Sequence, residues 1–134
     1  MVPPVVEEPD PVEVAEQLAP EPTSGPAPRR RLTARERFEI IGLIRNAKLA
    51  LDENRLMSPA NDNAYARYLK VLELDPNDDR ARAGVREIAR RYVALAEGAL
   101  RNDSVERAQT FLERAKIASP DLPGIAEAES RIAR

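Results

Sequence analysis

The chain has 134 residues, 21 of them Lys or Arg and 23 Asp or Glu, with neither cysteine nor histidine. This length suits one modest domain. The two missing residue types exclude disulfide staples and thiol chemistry, and they remove the commonest general base near neutral pH and the commonest zinc ligand.

Charge and proline content divide the chain near Arg29. Residues 1–28 hold Glu7, Glu8, Asp10, Glu13, Glu16 and Glu21 with no basic residue, together with Pro3, Pro4, Pro9, Pro11, Pro20, Pro22, Pro26 and Pro28. Repeated proline favours extended polyproline II geometry and like charges resist collapse, so residues 1–32 read as a disordered, semi-rigid linker. Within it, Val12–Leu18 has the composition of a transient helical turn or a partner-binding segment. A spacer of this kind is expected to connect two parts of a longer protein. Arg29, Arg30 and Arg31 form a basic junction. From Arg29 onward 21 basic residues face 17 acidic ones, a mild bias beside the clustered excess of a duplex-binding domain. No apolar run approaches the roughly 20 residues that span a bilayer, and the N-terminus does not read as a signal peptide.

Residues 33–134 read as successive helices. Thr33 and Glu36 make a capping box, and Leu32 before them is placed to pack back as a staple. Phe38, Ile41, Ile44, Ala47 and Leu51 then follow a helical period, predicting a first helix that runs to about Leu56, with Gly42 weakening its interior. Ser58-Pro59 and Asn61-Asp62-Asn63 stop it and cap the next. A second helix carries Ala64, Tyr65, Tyr68, Val71, Leu72 and Leu74 and ends at Asp75-Pro76-Asn77-Asp78. A third runs from after Asp78 to Ala99 or Leu100, with the stripe Ala81, Val85, Ile88, Tyr92, Leu95, Ala96 and Ala99. Asn102-Asp103-Ser104 makes a polar corner. The fourth helix uses Val105, Ala108, Phe111, Leu112, Ala115 and Ile117 and closes at Ser119-Pro120. Pro123 suits an early helical position, so Ile125, Ala128 and Ile132 are assigned to a fifth, terminal helix.

The chain also nearly repeats itself. A shift of 44 residues puts Ile41 on Val85, Ile44 on Ile88, Leu51 on Leu95, Leu56 on Leu100, Ala64 on Ala108, Tyr68 on Leu112 and Pro76 on Pro120. Corners of about four to six residues leave consecutive helices to fold beside one another. The expectation is an all-α fold: two stacked antiparallel hairpins and a C-terminal capping helix over residues 33–134. Ala64, Ala96, Ala99, Ala108 and Ala115 permit close contact, while Leu51, Tyr68, Leu95 and Leu112 supply bulk. Leu95→Asp is therefore expected to unfold both hairpins.

This pattern resembles a tetratricopeptide repeat domain, a right-handed solenoid of helical hairpins. The first copy matches through Leu51, Ala64, Tyr68, Val71 and Pro76, the second through Leu95, Ala108, Leu112, Ala115 and Pro120. The copies are about ten residues longer than the family's unit of about 34. The excess is assigned to long first helices rather than a loop insertion. Pro59 and Asp103 stand at the usual turn glycine, and the opening tryptophan is missing from both copies. The resemblance implies scaffolding or protein binding. It further suggests the bacterial multidomain or membrane-attached proteins in which a proline-rich stretch leads into such repeats, and with them a periplasmic location, with the cytoplasm as alternative.

The resemblance also implies a concave partner-binding surface made mostly by first helices. Carried over by position, it comprises Asn46, Ala50, Glu53, Arg90, Val93, Glu97 and Arg101. Arg90 and Arg101 would clamp a carboxylate of an acidic protein segment. Homo-oligomerisation through the exposed ends of a short stack is the competing role. Nucleic-acid binding rests only on Arg29–Arg31 joining Arg82, Arg86, Arg90 and Arg91, which can equally pair with acids such as Glu87. Tyr68, Tyr92, Phe38 and Phe111 read as packing residues and Tyr65 as partly exposed, leaving little to stack on bases. No catalytic, cofactor or metal site is expected. The acid pairs Asp52/Glu53 and Glu97/Asp103 lack a pocket to shift their pKa values. Asp75, Asn77, Asp78 and Asp79 lack the loop length, glycine and distal glutamate of a calcium loop and read as helix punctuation.

Overall fold

Five helices follow one another in the computed structural model, which describes residues 31–133: α1 (Ala34–Asp52), α2 (Ala64–Leu74), α3 (Asp79–Arg101), α4 (Val105–Ala118) and α5 (Pro123–Ala133). There is no strand among the described residues. Of the linker expected over residues 1–32, residues 1–30, including Val12–Leu18 and Arg29-Arg30, lie outside them. The helices belong to the unit Arg31–Arg134.

Four of the five helix starts are set by local chemistry, whereas Ser104 makes no side-chain cap to α4. Thr33 Oγ1 accepts from the Glu36 N–H at 3.1 Å and Glu36 Oε1 accepts from the Thr33 N–H at 3.0 Å, closing the capping box. Asn63 caps α2 by accepting from the Ala66 N–H at 2.7 Å. Asp78 caps α3 by accepting from the Ala81 N–H at 3.0 Å. Pro123 opens α5 at the first helical position, where its missing donor costs nothing.

The first helix stops at Asp52, short of the expected Leu56. Its end and that of α3 are alike. Asn54 and Asp103 each adopt a left-handed conformation, φ 62° and 60°, which Asn and Asp tolerate better than most residues. The Arg55 N–H then donates to Ala50 O and the Ser104 N–H to Ala99 O, both at 2.8 Å. The Asn54 N–H donates to Leu51 O and the Asp103 N–H to Leu100 O, both at 3.0 Å. This is the Schellman pattern twice over. It equates Ala50 with Ala99 and Leu51 with Leu100, a shift of 49 rather than 44 in the first helices.

With that shift Ile40, Ile44, Ala47 and Ala50 fall on Ala89, Val93, Ala96 and Ala99, and all eight are buried. The second helices keep the shift of 44: Ala64, Tyr68 and Val71 fall on Ala108, Leu112 and Ala115, again all buried. The five-residue difference is absorbed by the first corner, residues 53–63, which is longer than the short corners expected. It is pinned to the start of α2 by the Ala64 N–H to Arg55 O at 2.8 Å and the Tyr65 N–H to Leu56 O at 2.9 Å. Leu56 turns inward from this corner and is buried.

Leu95 is consequently not a counterpart of Leu51. It matches exposed Asn46 and is itself 44% exposed, so its assignment to the shared core is wrong. Phe38, 77% exposed, and Ile41, 49% exposed, also lie outside the core, on the side of α1 away from Ala47 and Ala50. The core is built from Ile40, Ile44, Tyr68, Val71, Ile88, Tyr92, Leu112 and Ile125 around a series of buried alanines. Tyr92 stacks on half-buried Phe111 with ring centroids 6.2 Å apart. Leu32 packs against this core, and its carbonyl accepts from Arg37. Besides the sequential helix pairs, α1 packs on α3 and α3 on α5, so α3 touches all four other helices.

Candidate functional site

The exposed side of α3 gathers a defined set of side chains. At three- and four-residue spacing, Ala83, Glu87, Arg90, Ala94, Glu97 and Arg101 share one face. Arg90, Arg101, Ala83 and Ala94 are exposed, while Glu87 and Glu97 are half-buried. Each small residue along it is followed by two charged ones, which leaves space beside fixed charges.

An open groove of about 420 Å³ adjoins this face, lined by Asn54, Leu56, Arg91, Ala94 and Leu95. Arg91 organises its wall. Its Nη1 donates to Leu51 O at 2.7 Å and Asn54 Oδ1 at 3.2 Å, and its Nε donates to Glu87 at 3.2 Å. The guanidinium thereby adds a charged donor at Leu51 O, near the C-terminus of α1, and fixes that corner to α3. Leu95 stands exposed beside it, an apolar contact next to the Arg91 guanidinium.

The residues carried over by resemblance meet different fates. Arg90, Glu97 and Arg101 come together on the α3 face. Asn46 is exposed on α1. Glu53 is exposed, but its carboxylate binds Arg55, whose pKa this hydrogen bond raises. Ala50 and Val93 are buried, at 0% and 8% exposure, and offer no surface to a ligand. Arg90 and Arg101 cannot close on one carboxylate, because the helical rise sets them roughly 16 Å apart along the axis. Arg90 contacts Glu87 at 3.4 Å and Glu97 contacts Arg131 at 3.7 Å. Resemblance overlooked Leu95, Arg91, Ala94 and Leu56. The signal for them was the pair of polar residues, Asn54 and Asp103, able to end α1 and α3 in the left-handed conformation.

The remaining charged clusters have structural partners. Asp62 is held between Arg55 and Arg67, and the Arg67 hydrogen bond keeps its carboxyl below the usual carboxylate range. No group of three or more His, Cys, Asp or Glu side chains among the described residues is placed to hold a metal ion. No helix there is long and apolar enough to cross a membrane. Comparison with protein-family models, characterised proteins and solved structures finds no match to this chain.

Proposed function

We propose that residues 33–134 form a protein-interaction module of tetratricopeptide type, a scaffold that holds an extended acidic partner segment along α3. The observation that carries this reading is Leu95. It is a large apolar side chain 44% exposed at an open groove, with Arg90, Arg91 and Arg101 on the same helix. The groove sets this apolar side chain beside the Arg91 guanidinium, a combination that one apolar and one acidic residue of a partner segment would complement. Aspartates and glutamates of the partner would meet the arginines, and an apolar residue would meet Leu95 and Leu56. Two supports favour the stacked-hairpin reading. One is the pair of like-capped helix ends followed by equivalent buried positions in α2 and α4. The other is the packing of α1 on α3 and of α3 on α5 beside the sequential pairs.

The role proposed is binding rather than catalysis: the carboxylates of this face, Glu87 and Glu97, pair with arginines. The test uses a fluorescein-labelled peptide alternating Asp, Glu and Leu. Binding should weaken at least about tenfold in Leu95→Lys and in Arg90→Glu, with the thermal midpoint of each variant unchanged. Unaltered affinity in both, or amide-resonance shifts that avoid α3, would overturn the assignment.

A further inference from the structure

The exposed side of α1 carries a second surface that the α3 reading does not use. Phe38, Ile41, Arg45 and Leu49 recur at three- and four-residue spacing and form one stripe along the helix. Phe38 is 77%, Ile41 49% and Leu49 52% exposed. Gly42 lies in the same stripe, and a Cβ there would meet nothing within 4 Å. Arg35 near its start and Asp52 at its end border the stripe, while Glu36, Arg37, Glu39 and Lys48 lie round the helix from it.

From this pattern we infer that α1 is a self-association surface, and that a second copy of the chain packs its own α1 antiparallel against the stripe. The pairing is self-complementary. With the two-fold axis between Leu43 and Ile44, Phe38 of each copy meets Leu49 of the other, and Arg35 comes level with Asp52. Gly42 stands opposite Arg45 and leaves space for its arm to pass. A parallel pairing would set Arg35 against Arg35 and Asp52 against Asp52. Antiparallel pairing also opposes the two helix dipoles. An isologous contact of this kind closes at two copies. A single helix pair buries little area by the standard of permanent dimers, so the dimer is a weak one, with a dissociation constant on the order of 10–100 µM.

Sedimentation of the full chain from about 1 to 500 µM should show a monomer–dimer equilibrium. Phe38→Glu, at a largely exposed position, should abolish it without moving the thermal midpoint. Arg35→Asp and Asp52→Arg should each weaken dimerisation, and the double swap should restore it toward wild type. Because the chain contains no cysteine, orientation can be read by disulfide trapping. A mixture of Phe38→Cys and Leu49→Cys chains should form the mixed disulfide in preference to either homodimer. A wild-type chain monomeric throughout, a dimer insensitive to Phe38→Glu, failure of the double swap to recover, or ready trapping of Phe38→Cys with itself would each overturn the inference. None of these results depends on the acidic peptide, so the two surfaces stand or fall separately.

Discussion

Gly84 packs directly beneath the ring of Tyr68, so close that a Cβ would overlap the aromatic carbons. Burial raises the Tyr68 pKa, and the phenol stays neutral in this contact. Gly42 is the opposite case, a helical glycine facing open space. The same substitution should therefore act with opposite signs. Gly84→Ala should lose about 1–3 kcal/mol through overpacking, and Gly42→Ala should gain about 0.5–1 kcal/mol of helix propensity. Urea midpoints shifting in the same direction would contradict the α2–α3 contact. Asp78 makes a second residue-scale argument. Burial pushes its carboxyl up, but hydrogen bonds from the Arg80 guanidinium and the Ala81 N–H more than offset this and hold it below the usual range. A depressed folded pKa means stability present above the unfolded value and lost as pH falls through the folded one. With no histidine in the chain, the midpoint should stay nearly level from about pH 5 to 8 and fall below about pH 4. Asp78→Ala should cost about 0.5–2 kcal/mol at neutral pH and flatten the acid limb. An unchanged acid limb would remove Asp78 from the account.

At the scale of the element, the corner after α1 decides where side chains point. Leu95→Asp should change stability by no more than about 0.5 kcal/mol, as an exposed substitution does. Leu112→Asp, at a position 2% exposed, should lose several kcal/mol, on the order of the cost of an unpaired buried charge. Chemical denaturation of the two variants side by side checks this, and similar losses would return Leu95 to the interior. Much of the helical architecture was legible from local chemistry: the Thr33–Glu36 box, the caps at Asn63 and Asp78, Pro123, and the spacing of Ala64, Tyr68 and Val71. The end of α1 was not. Leu56 continues an apolar period, and only its backbone contact with Tyr65 and the left-handed Asn54 show that the chain has already turned. That one corner shifts the register of the first helices, which is why Leu95 reads as core. The polar half of the site, Arg90, Glu97 and Arg101, was legible because helical period alone aligns it. Its apolar half depends on a corner whose hydrogen bonds join residues too far apart for periodicity to register.

Across the whole described region, α3 is the member every other helix needs. It contacts α1, α2, α4 and α5, and Ile88 near its middle is fully buried. The surface ion pairs Lys116–Glu129 and Arg131–Glu97, with half-exposed partners, are of the kind that contributes little in water. Burial of α3 is therefore the term that couples the ends of the stack. If α3 is that link, removing packing at its centre should weaken all five helices together rather than fray one end. Ile88→Ala should lower unfolding free energy by about 2–5 kcal/mol. Hydrogen exchange should show α1 and α5 losing protection in step with α3, and circular dichroism and tyrosine fluorescence should report a single shared transition. If α4 and α5 instead kept their protection while α1 and α2 opened, the stack would consist of two separable hairpins and α3 would belong to only one of them.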